Sequence, residues 1–131
     1  MAEEIKTILI AEDEEDLREM YSMALKGGGF DVLQAENGLK VFDWLEKIGG
    51  KVDLVLLDIV MPQMDGFETL EKMRKDERYR KLPVIVSTNL DNDEDRTQAL
   101  GLGAKEYFVK SRHTPSELVA KVKEVFLEMA K

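Results

Sequence analysis

Cysteine is missing from the 131 residues, and histidine (His113) and tryptophan (Trp44) occur once each. Without cysteine there are no disulfides, no thiolate nucleophile and no sulfur-ligated metal. One histidine excludes a multi-histidine zinc centre. Beside Arg112 in a polar loop, His113 reads as a solvated side chain without a catalytic role. No apolar run approaches 20 residues and no secretory leader is visible, so the expectation is a cytoplasmic protein without a membrane span. Positive charge is also scarce: 19 Lys and Arg stand against 27 Asp and Glu, a net charge of −8. That balance argues against direct binding to nucleic acid or anionic lipid, which needs clustered cations, and leaves protein partners open. What remains is 44% hydrophobic and 35% charged, a globular composition long enough for one core. We read residues 1–4 as a short tail and 5–131 as one domain, with no internal repeat, linker or low-complexity segment.

The stretch Leu54-Val55-Leu56-Leu57-Asp58 runs four aliphatic residues straight into an aspartate, with Pro62 and Asp65-Gly66 close behind. A continuous apolar run bounded by turn residues predicts a strand buried on both faces. Similar strands are predicted over 5–11, 30–35, 82–88 and 106–110, the second of these more alternating and nearer an edge. Between them lie helical patterns. Leu17, Met20, Tyr21, Ala24 and Leu25 follow the amphipathic spacing, with Glu14, Glu15 and Asp16 suited to a positive helix start. Gly27-Gly28-Gly29 reads as the end of that helix rather than a phosphate cradle. Asn37-Gly38 opens a second helix facing inward through Val41, Leu45 and Ile48, with Trp44 half-exposed beside it. Asp65 and Glu68 have capping-box spacing before a third, with Phe67, Leu70 and Met73 as its apolar line. A fourth, from Asp91–Asp95 to about Gly101, has the weakest apolar pattern. Thr114-Pro115-Ser116-Glu117 is a capping box with proline at the first helical position, and Leu118, Val122, Val125 and Met129 carry the fifth helix. Five strands alternating with five helices predict a doubly wound α/β fold, a parallel sheet covered on both faces.

In such a sheet the carboxyl ends of the strands share one rim, where ligands bind. The polar residues there are Glu12 and Asp13, Asp58, Ser87 and Thr88, and Lys110. Three clustered carboxylates repel one another and call for a cation. Oxygen-only donors with room for water suit Mg²⁺. A hard cation, a lysine and a hydroxyl are also what a transferring phosphoryl group needs, and Asp58 is central enough to be its nucleophile.

Four segments resemble the receiver domains of two-component response regulators: Leu9-Ile10-Ala11-Glu12-Asp13, the run from Leu56 to Gly66, Pro83-Val84-Ile85-Val86-Ser87-Thr88 and Gly103-Ala104-Lys105-Glu106-Tyr107-Phe108-Val109-Lys110. The resemblance covers nearly the whole chain. It implies a flavodoxin-like (βα)5 sheet in the order 2-1-3-4-5, and a signalling switch rather than a metabolic enzyme. It implies that Asp58 accepts phosphate from a histidine kinase or phosphotransfer protein. Glu12, Asp13, Asp58 and the backbone carbonyl of Val60 would hold Mg²⁺, with Mn²⁺ as a substitute. Thr88 and Lys110 would grip the phosphoryl oxygens, and Tyr107 would report the state to a downstream protein through the face of the fourth helix, fifth strand and fifth helix. A phosphorylation-linked homodimer is a further expected partnership.

The chain departs from the family pattern in three places. Ser111 stands where proline usually follows the lysine, so a trans Lys110–Ser111 bond is expected, a cis bond before a non-proline residue costing about 2.5–4 kcal/mol. Asn89 replaces the usual small residue after the threonine. Val60 and Leu90 occupy positions where polar side chains orient the hydrolytic water, which apolar ones cannot do. Slow self-dephosphorylation follows. The rival readings are an interaction module that no longer uses phosphate and an aspartate-nucleophile phosphatase. The latter lacks its second acid, Val60 standing there. A flavin module is a weaker alternative, for want of a hydroxyl- and glycine-rich loop after the first strand.

Overall fold

The aliphatic runs become strands because a parallel sheet offers both of their faces to other apolar side chains. In the computed structural model, which describes residues 4–131, these are β1 (Thr7–Ala11), β2 (Asp31–Ala35), β3 (Leu54–Leu57), β4 (Val84–Thr88) and β5 (Glu106–Val109). They pair in parallel in the order β2-β1-β3-β4-β5, so β3 is flanked by β1 and β4. The helices are α1 (Glu15–Gly27), α2 (Gly38–Ile48), α3 (Gly66–Lys75), α4 (Asp93–Gly101) and α5 (Pro115–Met129). Residues 1–3 of the predicted tail lie outside the described residues, and Glu4 precedes the first strand.

Strand alternation divides the interior in two. Leu9, Val55, Leu57, Val84, Val86 and Tyr107 pack with Val41, Leu45, Leu70, Met73 and Ala99 of α2, α3 and α4. Ile8, Ile10, Leu54, Leu56, Ile85 and Phe108 pack with Tyr21 and Leu25 of α1 and Leu118, Val122 and Val125 of α5. All four residues of β3 are buried, as expected of the central strand, whereas β2 at the edge is buried fully only at Ala35. Trp44 is half-buried and donates its Nε1 proton to the Gln34 carbonyl at 2.8 Å, bracing that edge.

Several local expectations need correction. Ile5 is 64% exposed and lies outside β1. Met20 and Met129 also face solvent; α1 turns Ser22 inward instead, while α5 buries Leu118, Val122 and Val125 as expected. Asp65 caps α3 by accepting from the Glu68 amide at 2.9 Å, but Glu68 pairs with Lys72 rather than reaching back, so half of the predicted box forms. Thr114 and Glu117 make the complete box. Lys110 is not the last residue of β5 but the first of a 3₁₀ turn, Lys110–Arg112. The Lys110–Ser111 bond is trans, and no cis peptide occurs among the described residues. Helix α4 buries Ala99 alone, matching its weak apolar pattern.

Candidate functional site

The candidate acids, Thr88 and Lys110 stand where strands give out and the backbone turns toward the next helix, while Tyr107 lies within β5. Asp58 follows the buried Leu57, and its amide still pairs with the Ala11 carbonyl at 3.0 Å, so the aspartate is fixed at the rim rather than in a free loop. Glu12 is fixed in the same way from the other side, donating its N–H to the Ala35 carbonyl at 3.0 Å. One carboxylate oxygen on each of Glu12, Asp13 and Asp58 can be chosen so that all three lie within 4.8 Å of one another. Glu12 and Asp58 are 3% and 8% exposed, while Asp13 faces solvent. The cluster is therefore open on one side, with room for water to complete a coordination shell.

Lys110 closes the other side. It is 7% exposed, and its Nζ donates to Asp58 Oδ2 at 3.0 Å and to Glu12 Oε1. Asp58 Oδ1 accepts from the Ile59 amide at 2.7 Å, and Glu12 Oε2 from the Glu14 amide at 3.1 Å. Burial pulls the Lys110 ammonium toward neutrality, but the charges of Asp58 and Glu12 outweigh it and hold its pKa above the ordinary lysine value. Burial pushes the Glu12 carboxyl above the usual range despite the opposing hydrogen bond from Lys110. The backbone beneath Asp58 allows no slack. A Cβ on Gly66 would fall 2.3 Å from the Asp58 carbonyl oxygen and 2.7 Å from Ile59 Cα, and the Gly66 amide bonds Ile59 O at 2.8 Å.

Thr88 ends β4 with its side chain buried, and its Oγ1 accepts from the Leu90 amide at 3.3 Å. Tyr107 is turned inward, 8% exposed, and its hydroxyl donates to the Leu90 carbonyl at 2.6 Å. Burial raises its phenol pKa. The Arg96 guanidinium lies 4.9 Å from the Tyr107 ring centroid, covering it from α4. Val60 lies two residues past Asp58 with its side chain 60% exposed, Asn89 is exposed, and Leu90 is half-buried. His113 is exposed as expected, its Nδ1 3.2 Å from Glu117 Oε2.

Three acidic oxygens, no soft donor and a lysine against two of the acids form a donor set suited to a hard divalent cation. With the Asp58 carboxylate between the other acids and Lys110, the arrangement can accommodate phosphoryl chemistry. The model for the response regulator receiver domain matches residues 8–123. The chain belongs to that family. This receiver is 37% identical over 120 residues to the phosphate regulon transcriptional regulatory protein PhoB of Pseudomonas aeruginosa, covering 92% of this chain and 51% of the relative. The chain thus spans about half the length of the curated relatives it matches. A CheY-like receiver domain protein of Methanospirillum hungatei superposes with a TM-score of 0.85 at 29% identity, covering 95% of this chain and 96% of that one. The Mn²⁺-bound form of the response regulator Rcp1 superposes with a TM-score of 0.80 at 26% identity, covering 94% and 95%.

Two arginines near the site escaped the sequence reading. Arg18 of α1 reaches back to the Glu12 carbonyl, and Arg112 pairs with Asp91 across the rim. The first has a visible signal, an arginine two residues after an acidic run. The second joins loops whose approach depends on the tertiary fold. Among the described residues, no helix is long and apolar enough to cross a membrane.

Proposed function

We propose that this receiver is a phosphorylation-controlled switch in which Asp58 accepts a phosphoryl group from a phosphohistidine of a kinase or phosphotransfer protein. The observation that carries the reading is the convergence of the Asp58, Glu12 and Asp13 carboxylates with Lys110 at the ends of β3, β1 and β5. In the transfer, an Asp58 oxygen forms a bond to phosphorus as the phosphorus–nitrogen bond to histidine breaks, giving an acyl phosphate. Glu12, Asp13, Asp58 and the Val60 carbonyl would hold Mg²⁺, or Mn²⁺ in its place. The bound cation supplies positive charge to the phosphoryl oxygens. Lys110 is already an ammonium against Asp58 and offers a charge-assisted donor to the same oxygens.

The signal leaves through Leu90. Its amide is held by Thr88 and its carbonyl by Tyr107. A hydroxyl accepts and donates at once. Thr88 therefore keeps the Leu90 amide while offering its proton to a phosphoryl oxygen, and a shift of Thr88 is felt at Tyr107. Tyr107 borders the α4–β5–α5 face, where we place the downstream protein contact and a phosphorylation-linked homodimer. The acidic balance of the chain favours protein over nucleic acid as the direct partner, and the setting we propose is the cytoplasm. Val60 and Leu90 leave the attacking water without a side-chain partner, so the phosphorylated state is long-lived; Asn89 at the mouth adds a side chain to the approach.

The test is incubation with Mg²⁺ and acetyl phosphate followed by intact mass. One added phosphoryl group on the wild type and none on Asp58→Ala is the expected result. An unmodified wild type would instead favour a phosphate-independent interaction module of the same fold.

A further inference from the structure

Arg18 is half-buried, and its guanidinium links two parts of the chain. Its Nη1 donates to the Glu12 carbonyl oxygen at 2.8 Å, and its Nε donates to Gln34 Oε1 at 3.1 Å. The Glu12 carbonyl belongs to the peptide that joins Glu12 to Asp13, so its orientation sets the angle between the two acids. Glu12 N–H is already tied to β2 through the Ala35 carbonyl at 3.0 Å. Arg18 completes the hold on the other side of the residue. The far end of the brace is firm as well, because the main-chain oxygen of Gln34 accepts the Trp44 indole proton at 2.8 Å. A continuous path therefore runs from α2 through the edge strand to the acidic pair: Trp44, Gln34, Arg18, Glu12.

We propose that Arg18 is a positioning residue for the acidic pair, fixing the Glu12–Asp13 peptide so that both carboxylates face Asp58 and hold a divalent cation. The proposal rests on the functional reading above. Two observations separate positioning from a charge effect. Arg18 bonds the backbone of Glu12, while the carboxylate is held by Lys110 and the Glu14 amide. Its second bond goes to a neutral amide, which fixes the guanidinium plane without neutralising it.

The sign of a binding change decides between the two roles. A cation close to a dication site repels the metal, so deleting one that acted through charge alone would tighten Mg²⁺ binding. Deleting a residue that orients the ligands weakens it, typically by about 10- to 100-fold for partners that hold metal ligands in place. The experiment is calorimetric titration of Mg²⁺ into the wild type, Arg18→Ala and Gln34→Ala, without phosphodonor, with circular dichroism to establish folding. The expected result is Mg²⁺ affinity at least about tenfold weaker in Arg18→Ala and about threefold weaker in Gln34→Ala, which keeps the charge and loses the anchor. Amide exchange at residues 12–14 of the metal-free variants should accelerate in parallel. Unchanged or tighter Mg²⁺ binding by folded Arg18→Ala overturns the proposal. If that variant does not fold, unchanged affinity in Gln34→Ala overturns it equally. A wild type that binds no Mg²⁺ overturns the functional reading together with this inference, whereas equal binding by all three proteins overturns the inference alone.

Discussion

Replacing Lys110 with methionine keeps the reach of the side chain and removes its charge, which tests the electrostatic balance of the site directly. Lys110 Nζ is the cation shared by two carboxylates that are 3% and 8% exposed. Removing one member of a buried ion pair costs about 3–5 kcal/mol, a large share of the roughly 5–15 kcal/mol that holds an ordinary domain folded. For a chain of this size each kcal/mol moves Tm by about 3–5 °C, so Lys110→Met should melt roughly 10–20 °C below the wild type in EDTA at neutral pH. Two signatures distinguish this from simple loss of packing. A divalent cation in the acidic cluster replaces the missing charge, and binding to the native state alone adds about 2.7 kcal/mol at 100 times Kd. The Mg²⁺-induced rise in Tm should therefore be larger in the variant. The second signature is pH. Burial already holds the Glu12 carboxyl above its usual range, against the opposing pull of Lys110, and removing Lys110 pushes it further up. A carboxyl with its pKa raised in the folded state favours folding below its unfolded value, about 4.3, and loses that contribution as pH rises through the folded value. The deficit should thus be small near about pH 4 and grow toward neutrality. Scanning fluorimetry over a pH series, with EDTA or Mg²⁺, reads all three effects. A wild-type Tm for the variant at neutral pH in EDTA, or a deficit that widens on acidification, would refute the reasoning.

Other substitutions probe the remaining parts. Gly66→Ala drives a Cβ into the Asp58 carbonyl and Ile59 Cα; chemical denaturation should show a loss of about 2–3 kcal/mol, accompanied by slower acetyl phosphate labelling as Asp58 is displaced. Val60→Asn supplies a side chain able to orient water, and decay of the phosphorylated form followed by intact mass should quicken roughly tenfold; an unaltered rate would show that the apolar residue does not set the lifetime. Thr114→Ala removes the cap of α5, accepted from the Glu117 amide at 3.2 Å, and should cost about 1 kcal/mol in urea unfolding without changing labelling.

The legible parts of the sequence were those where a single physical demand acts on neighbouring residues. Leu54–Leu57 reads as a two-sided buried strand because turn residues bound a short apolar run, and that strand puts Asp58 at the rim. Thr114-Pro115-Ser116-Glu117 announced a helix start in four residues, and the complete box forms. Asp65 and Glu68 have the same spacing, yet Lys72 one turn on competes for Glu68, a choice that spacing does not encode. Met20 and Met129 fit the apolar spacing yet face solvent, because hydrophobicity does not say which side of a helix meets the sheet, and α1 buries Ser22 instead. The candidate site was visible as residue types at strand ends, since topology alone brings those ends together. Its supports were not: the contacts Arg18 makes with Glu12 and Gln34, and the Arg112 pairing with Asp91, join parts of the chain that meet only once the sheet is assembled.

Helix α4 is fastened to the sheet through one fully buried side chain, Ala99, while its first turn carries Asp93, Glu94 and Asp95. Segments with so few apolar contacts open locally at a small fraction of the global unfolding free energy. The face proposed above for output is thus bordered by a helix that has little apolar packing to hold it in place. A change at Leu90 and Tyr107 need not push α4 as a rigid lever. On the proposed output route it would have only to alter how often the helix is in place, and the cost of ordering α4 would enter the affinity of a partner bound there.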